Sequence, residues 1–121
     1  LSTPDMCLPI QYALTYPERV GSQRVQTNFA KIASLTFEEP DTKRFPALKL
    51  ARRAGELGGT LPAVMNAANE IAVEAFCNRK IGFAEITATV ARVMDRHEWI
   101  AHPSLEQILA ADAWARDAAR G

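Results

Sequence analysis

Directly after the pair Gly58-Gly59, the stretch from Ala63 to Cys77 carries apolar residues on most sides of any helix drawn through it. A segment this long and this rich in alanine and leucine-like residues favours the α-helix, and an all-round apolar helix is stable only when other elements cover it. Thr60 stands where a capping residue belongs, and Pro62 falls in the first turn, where its missing N–H costs nothing. The chain is therefore expected to build a helical core around this segment, its most buried helix.

The neighbouring segments read as the partners. One helix is expected from Phe45 to Leu57, with Pro46 in its opening turn and Leu48, Ala51 and Ala54 or Gly55 facing inward, stopped by Gly58-Gly59. Another opens at Gly82, with Ile81 and Ile86 placed for a hydrophobic staple and Ile86, Val90, Val93 and Met94 as its buried stripe. Ser104 and Gln107 form a capping box for the last helix, whose Leu105, Ile108, Leu109, Ala113 and Trp114 are expected to face inward. Four helices joined by short loops predict an antiparallel four-helix bundle over residues 44–121.

Residues 1–43 differ. Pro4, Pro9, Pro17, Gly21 and Pro40 interrupt them, and no long apolar stripe survives, so this part reads as an extended connector leaning on something else. A short helix over Pro9–Tyr16, halted by Pro17, and a short strand over Ser34–Phe37 are expected within it. The fold class is thus mainly α. Opening at Leu1 rather than Met, the chain is expected to be part of a longer polypeptide.

Charge narrows the partners. Fourteen Lys and Arg balance fourteen Asp and Glu without clustering, which gives no electrostatic footprint for nucleic acid or an anionic membrane. The short basic stretch Lys43, Arg44, Lys49, Arg52 and Arg53 is expected to be a solvated helix face. No apolar run is long enough to span a bilayer, and no signal-peptide pattern opens the chain, so a cytoplasmic location is expected. Cys7 and Cys77 stand far apart without a CxxC partner, which points to isolated thiols, one of them buried. His97 and His102, with Asp95 and Glu98 nearby, lack the spacing of a metal site and read as loop decoration. Gly58-Gly59 follows a helix rather than a strand and is no phosphate-binding turn; no nucleophile motif occurs.

Asn66, Asn69 and Glu70 are the unusual group. Their spacing sets three polar side chains on one stripe of an otherwise apolar helix. Such a stripe either binds a ligand or holds neighbouring structure by hydrogen bonds to a loop or to the connector. The latter is expected, because no His, Lys or second carboxylate nearby in sequence completes a catalytic set.

A family resemblance runs through the same residues. Pro4-Asp5-Met6 with Pro9-Ile10, Leu35-Thr36-Phe37 with Pro40-Asp41, Arg44-Phe45-Pro46-Ala47-Leu48-Lys49-Leu50-Ala51, and above all Asn66-Ala67-Ala68-Asn69-Glu70 with Ala75-Phe76 resemble the C-terminal part of the 1-deoxy-D-xylulose 5-phosphate reductoisomerases. The resemblance covers essentially the whole chain. It implies an enzyme that isomerises and reduces 1-deoxy-D-xylulose 5-phosphate to 2-C-methyl-D-erythritol 4-phosphate in non-mevalonate isoprenoid biosynthesis, using NADPH and Mg2+ or Mn2+. It also implies a homodimer with a dinucleotide-binding domain, a catalytic domain and a C-terminal helical bundle. In the cytoplasm or, for a plant or alga, the plastid, this piece would be the end of the catalytic domain, the connector and the bundle.

By the same resemblance, the family's metal ligands, nucleotide fingerprint and phosphate-binding residues have no counterpart here. No catalytic or metal-binding residue is therefore expected. Pro4 and Met6 alone fall beside the nicotinamide and substrate; ordinary loop packing is the other reading of both. Cys7 departs from the family pattern and receives no role. The expectation is a fragment inactive alone, with no cofactor bound to it, that supports its own catalytic domain. The alternative is a stand-alone helical protein-interaction module.

Overall fold

The computed structural model describes residues 5–22 and 27–121. Internal contacts divide the chain into two units, residues 1–39 and 40–121.

In the first unit, α1 spans Cys7–Thr15 and α2 spans Phe29–Ile32. The Asp5 carboxylate accepts from the Cys7 N–H at 2.7 Å, starting α1 two residues earlier than expected. That bond holds the Asp5 carboxyl below its ordinary pKa. Pro17 ends the helix as expected, because the residue before a proline is driven out of the helical region, and Tyr16 is extended at φ −48° and ψ 135°. Asn28 caps α2 with its side chain, a short helix not foreseen. The strand expected over Ser34–Phe37 is not there: residues 33–39 form neither helix nor strand and are exposed. A β-branched and aromatic run makes a strand only where a second strand takes its N–H and C=O groups, and the described residues offer none. No described residue of this unit is buried.

The second unit is the four-helix bundle. Asp41 leads into it, its side-chain oxygen accepting the N–H groups of Lys43 and Arg44 and its carbonyl that of Phe45. Then follow α3 over Ala47–Leu57, α4 over Leu61–Cys77, α5 over Phe83–Arg96 and α6 over Leu105–Arg120. The central helix is α4, packing on the other three, chiefly on α5 and α6. It buries Leu61, Val64, Ala67, Ala68, Ile71 and Ala72, more than any other helix. Helix α5 contributes Val90, Val93 and Met94 as expected, with Ile86 half-buried. The Ser104–Gln107 capping box is present, each side chain reaching the other residue's N–H at 2.8 and 3.3 Å.

Two buried stripes differ from expectation. On α6 the inward residues are Ala111 and Ala115, with Ala118 and Ala119 against the core, while Leu105 and Leu109 are 65% and 61% exposed and Ala113 and Trp114 are also exposed. Ile108 alone of the expected set is half-buried. Both stripes have helical period. The choice falls to alanine because α4 presents Ala67, Ala68 and Ala72, and small residues on both sides let two helices approach closely. On α3 the inward pair is Leu50 and Ala54, not Leu48 and Ala51. Thr60 is a third difference: it makes no side-chain cap, and its hydroxyl is turned inward, fully buried.

Candidate functional site

Three groups of side chains in the bundle have geometry beyond plain packing. The first ties the α3–α4 turn to the α5–α6 loop. Gly58 and Gly59 both have left-handed φ, +63° and +59°, a region open to glycine at little cost. The Gly58 carbonyl accepts from Trp99 Nε1 at 3.1 Å, and Thr60 N–H donates to the Ile100 carbonyl at 3.1 Å. The buried Thr60 hydroxyl oxygen accepts from Ile100 N–H at 3.2 Å and lies 2.7 Å from His97 Nε2. With its oxygen accepting from Ile100, the hydroxyl is placed to donate to Nε2 in the tautomer that carries the histidine proton on Nδ1. The His97 ring also packs on Trp114, centroids 5.2 Å apart. His97 is thus a half-buried anchor of two loops rather than loop decoration.

Two measurements check this junction. Thr60→Val keeps the shape and deletes the hydroxyl, leaving the Ile100 N–H unpaired, and is expected to cost about 1–3 kcal/mol in urea unfolding. Burial holds the His97 pKa below 6.5, against a smaller upward pull from Glu98. The neutral ring is the folded form, so the stabilisation is complete above that pH and fades as the pH falls below it, where the unfolded chain takes up a proton that the folded one resists. Melting temperature is expected to fall between pH 7.5 and pH 5.5, and to fall less in His97→Asn.

The second group joins α4 to α6. Asn66 Nδ2 donates to Glu70 Oε1 at 2.8 Å, and Glu70 Oε2 pairs with Arg116 at 2.8 Å. Arg116 also holds Asp112, one turn back on α6, at 2.7 Å. The Arg116 hydrogen bond, and after it the one from Asn66, keeps the Glu70 carboxyl below its usual pKa. These side chains are on the surface, so they order it and orient α6 more than they add stability. Asn66 and Glu70 thus take part in a side-chain bridge between two helices, in which Arg116 supplies a charged partner that the local sequence did not show.

Asn69 belongs to the third group. An open groove of about 220 Å³ runs over α4 between α3 and α5. Ala47, Leu50 and Ala51 form one wall, Ile86, Thr87 and Val90 the other, and Met65, Asn66 and Asn69 the floor. No charged side chain lines it.

Other singled-out residues stay apart. Pro4 lies outside the described residues, and Met6, ahead of α1, is 69% exposed. Cys7 and Cys77 are both exposed, where one buried thiol was expected. Cys77 closes α4 at a point the bundle does not cover. Asp95 pairs with Arg53 of α3, one member of the basic stretch, and His102 is exposed. Among the described residues, no three His, Cys, Asp or Glu side chains converge as a metal site would require. Nor is any described helix long and apolar enough to cross a membrane.

Comparison with known proteins adds a whole-chain match. The DXP reductoisomerase C-terminal domain model matches residues 1–118. The chain is 55% identical to the 1-deoxy-D-xylulose 5-phosphate reductoisomerase of Heliobacterium modesticaldum over 96% of its own length and 30% of that protein's. It is 57% identical to that of Chlorobium chlorochromatii over 99% of its length and 31% of that protein's. Among solved structures, the Zymomonas mobilis reductoisomerase in complex with NADPH superposes with a TM-score of 0.86 at 45% identity, covering 99% of this chain and 32% of that one. A DOX-P reductoisomerase in complex with NADPH, fosmidomycin and magnesium gives a TM-score of 0.82 at 38% identity over the same shares. The chain therefore spans about a third of the length of the relatives it matches.

Proposed function

The chain belongs to the 1-deoxy-D-xylulose 5-phosphate reductoisomerase family as a C-terminal part, and from that premise we propose that it supports the catalytic domain of such an enzyme and is inactive alone. The observation that carries this reading is the match over nearly the whole chain at 50% identity or more to proteins about three times its length. On this reading the whole enzyme is a cytoplasmic homodimer that converts 1-deoxy-D-xylulose 5-phosphate to 2-C-methyl-D-erythritol 4-phosphate. Residues 44–121 are its helical domain, and residues 1–43 are the end of the catalytic domain and the connector.

NADPH and a divalent metal belong to the reaction, and the described residues offer neither group a ligand set. Among the described residues no metal-ligating cluster exists, and the two adjacent glycines are engaged in closing α3 and meeting the Trp99 loop. We assign both groups to the rest of the polypeptide. Pro4 and Met6 are the positions proposed to approach the nicotinamide and substrate once that part is present. The glutamate and asparagines of α4 are proposed as structural.

Titration of the 121-residue chain with NADPH is expected to show no saturable change in nicotinamide fluorescence and no turnover with 1-deoxy-D-xylulose 5-phosphate. Saturable binding overturns the reading. An antibody against residues 44–121 is expected to detect a band far heavier than 13.3 kDa in source cells; a band at that mass indicates a free helical module instead.

A further inference from the structure

Among the described residues, four hydrogen bonds join the α3–α4 turn to the α5–α6 loop, and one titratable side chain, His97, takes part in them. Thr60 is fully buried, and among the described residues its side chain has no hydrogen-bond partner besides Ile100 and His97. The Ile100 N–H is a donor at any pH, so it occupies the hydroxyl oxygen and leaves the hydroxyl proton to His97 Nε2. That nitrogen accepts only while it carries no proton of its own. With both ring nitrogens protonated, His97 aims an N–H at a hydroxyl whose own proton then has no acceptor and no access to solvent. A buried donor stranded in this way makes the closed junction unfavourable. Charges around the ring do not offset this. From α6, Gln107, Ala110, Ala111 and Trp114 line the cavity beside His97, and none is charged. Its chain neighbours Arg96 and Glu98 carry opposite charges, and Asp95 is paired with Arg53 of α3. His102, the other histidine of the chain, is exposed on the same loop.

We propose that Thr60, His97 and Ile100 form a proton-operated latch: protonation of His97 releases the α5–α6 loop from the α3–α4 turn while the helices stay folded. The core permits this separation. Its buried residues, Val64 on α4, Val93 on α5 and Ala115 on α6 among them, come from the helices, and no residue of the loop from His97 to Ser104 belongs to it. A segment outside the core opens at lower cost than the bundle unfolds. The helix that the release affects is α3, which packs chiefly on α4 and is joined to the end of α5 by this junction and by the Arg53–Asp95 pair. The sign follows from the neutral ring of the closed form. Above pH 6.5 the latch is closed, and below it the open form gains because it takes up a proton that the closed one resists.

Amide hydrogen exchange of the 121-residue chain, followed by NMR with each protection factor corrected for the intrinsic rate at its pH, tests the latch. The N–H groups of Thr60 and Ile100 report on the junction, and that of Val93, inside α5, reports on unfolding of the bundle. At every pH Ile100 is expected to be about tenfold or more less protected than Val93. Between pH 7.5 and pH 5.5 its protection is expected to fall by roughly three- to tenfold, the effect of one proton, with the helical circular dichroism unchanged. In His97→Asn the fall is expected to vanish although His102 still titrates. His102→Asn, at an exposed position, is expected to keep it whole, which leaves the latch testable if His97→Asn does not fold. Equal protection of Ile100 and Val93 at every pH overturns the proposal, because the junction then opens only when the bundle unfolds. So does a fall that persists in His97→Asn or disappears in His102→Asn, since either result assigns the proton to another group.

Discussion

Gly59→Ala is expected to lower the stability of the bundle by about 2–5 kcal/mol. The backbone there has φ +59°, where a Cβ costs about 1–2 kcal/mol for any L-residue. Space adds the rest. A Cβ at Gly59 would stand 2.1 Å from the Ile100 carbonyl oxygen and 2.9 Å from Trp99 Nε1. The first contact is with backbone, so no rotamer change relieves it. The α5–α6 loop must retreat, and its bonds from Trp99 to Gly58 and between Ile100 and Thr60 go with it, in the range of 1–3 kcal/mol for overpacking. Gly58 provides the control. Its φ is +63°, but nothing lies within 4 Å of an added Cβ, so Gly58→Ala is expected to show only the backbone component. Guanidinium unfolding of the two variants separates the terms; equal losses would mean that the loop yields freely.

Met94→Ala is expected to be of similar size, about 2–5 kcal/mol, because Met94 is 1% exposed and among the largest fully buried side chains. Truncating it removes contacts with the α4 core and leaves a cavity that Val64 and Val93, also buried, cannot fill without moving. Leu109→Ala on α6 is the matched comparison. Hydrophobicity ranks Leu109 above every alanine on that helix, yet its exposure of 61% predicts a loss within about 0.5 kcal/mol, as for other surface changes. Ala115→Leu tests the same packing from the other side: Ala115 has no exposed surface, and extra methylenes there must separate α4 from α6. If Leu109→Ala were the more damaging truncation, the alanine stripe would not be the inward face of α6.

These comparisons show where local sequence stops deciding. Helix ends were legible because they depend on neighbours in the chain: Pro17 after α1, Gly58-Gly59 after α3, Pro62 in α4 and the Ser104–Gln107 box before α6 all act within a few residues. The buried stripe of α5 was legible as well, since Ile86, Val90, Val93 and Met94 gather its large aliphatic side chains on one face, while Arg92 and Asp95 mark the other. On α3 and α6 two stripes of equal period competed, and the facing helix chose between them. The strand expected at Ser34–Phe37 failed for a related reason, because strand propensity without a partner's backbone leaves its hydrogen-bonding groups to water.

The candidate site divides in the same way. The sequence marked Asn66, Asn69 and Glu70 as unusual on an apolar helix, and its motifs carried the family. It could not show that Glu70 meets Arg116, far along the chain, that Asn69 opens into a groove walled by α3 and α5, or that Thr60 and His97 come within 2.7 Å. By itself, then, the sequence determined the four helices of the bundle, the stops at Pro17 and Gly58-Gly59, the start at Ser104–Gln107, the central place of α4 and the family, all of which follow from short-range backbone chemistry and ordered motifs. Tertiary structure alone decided which faces are buried and which polar groups pair, because close packing weighs the shape of the opposing helix, and that shape is written elsewhere in the chain.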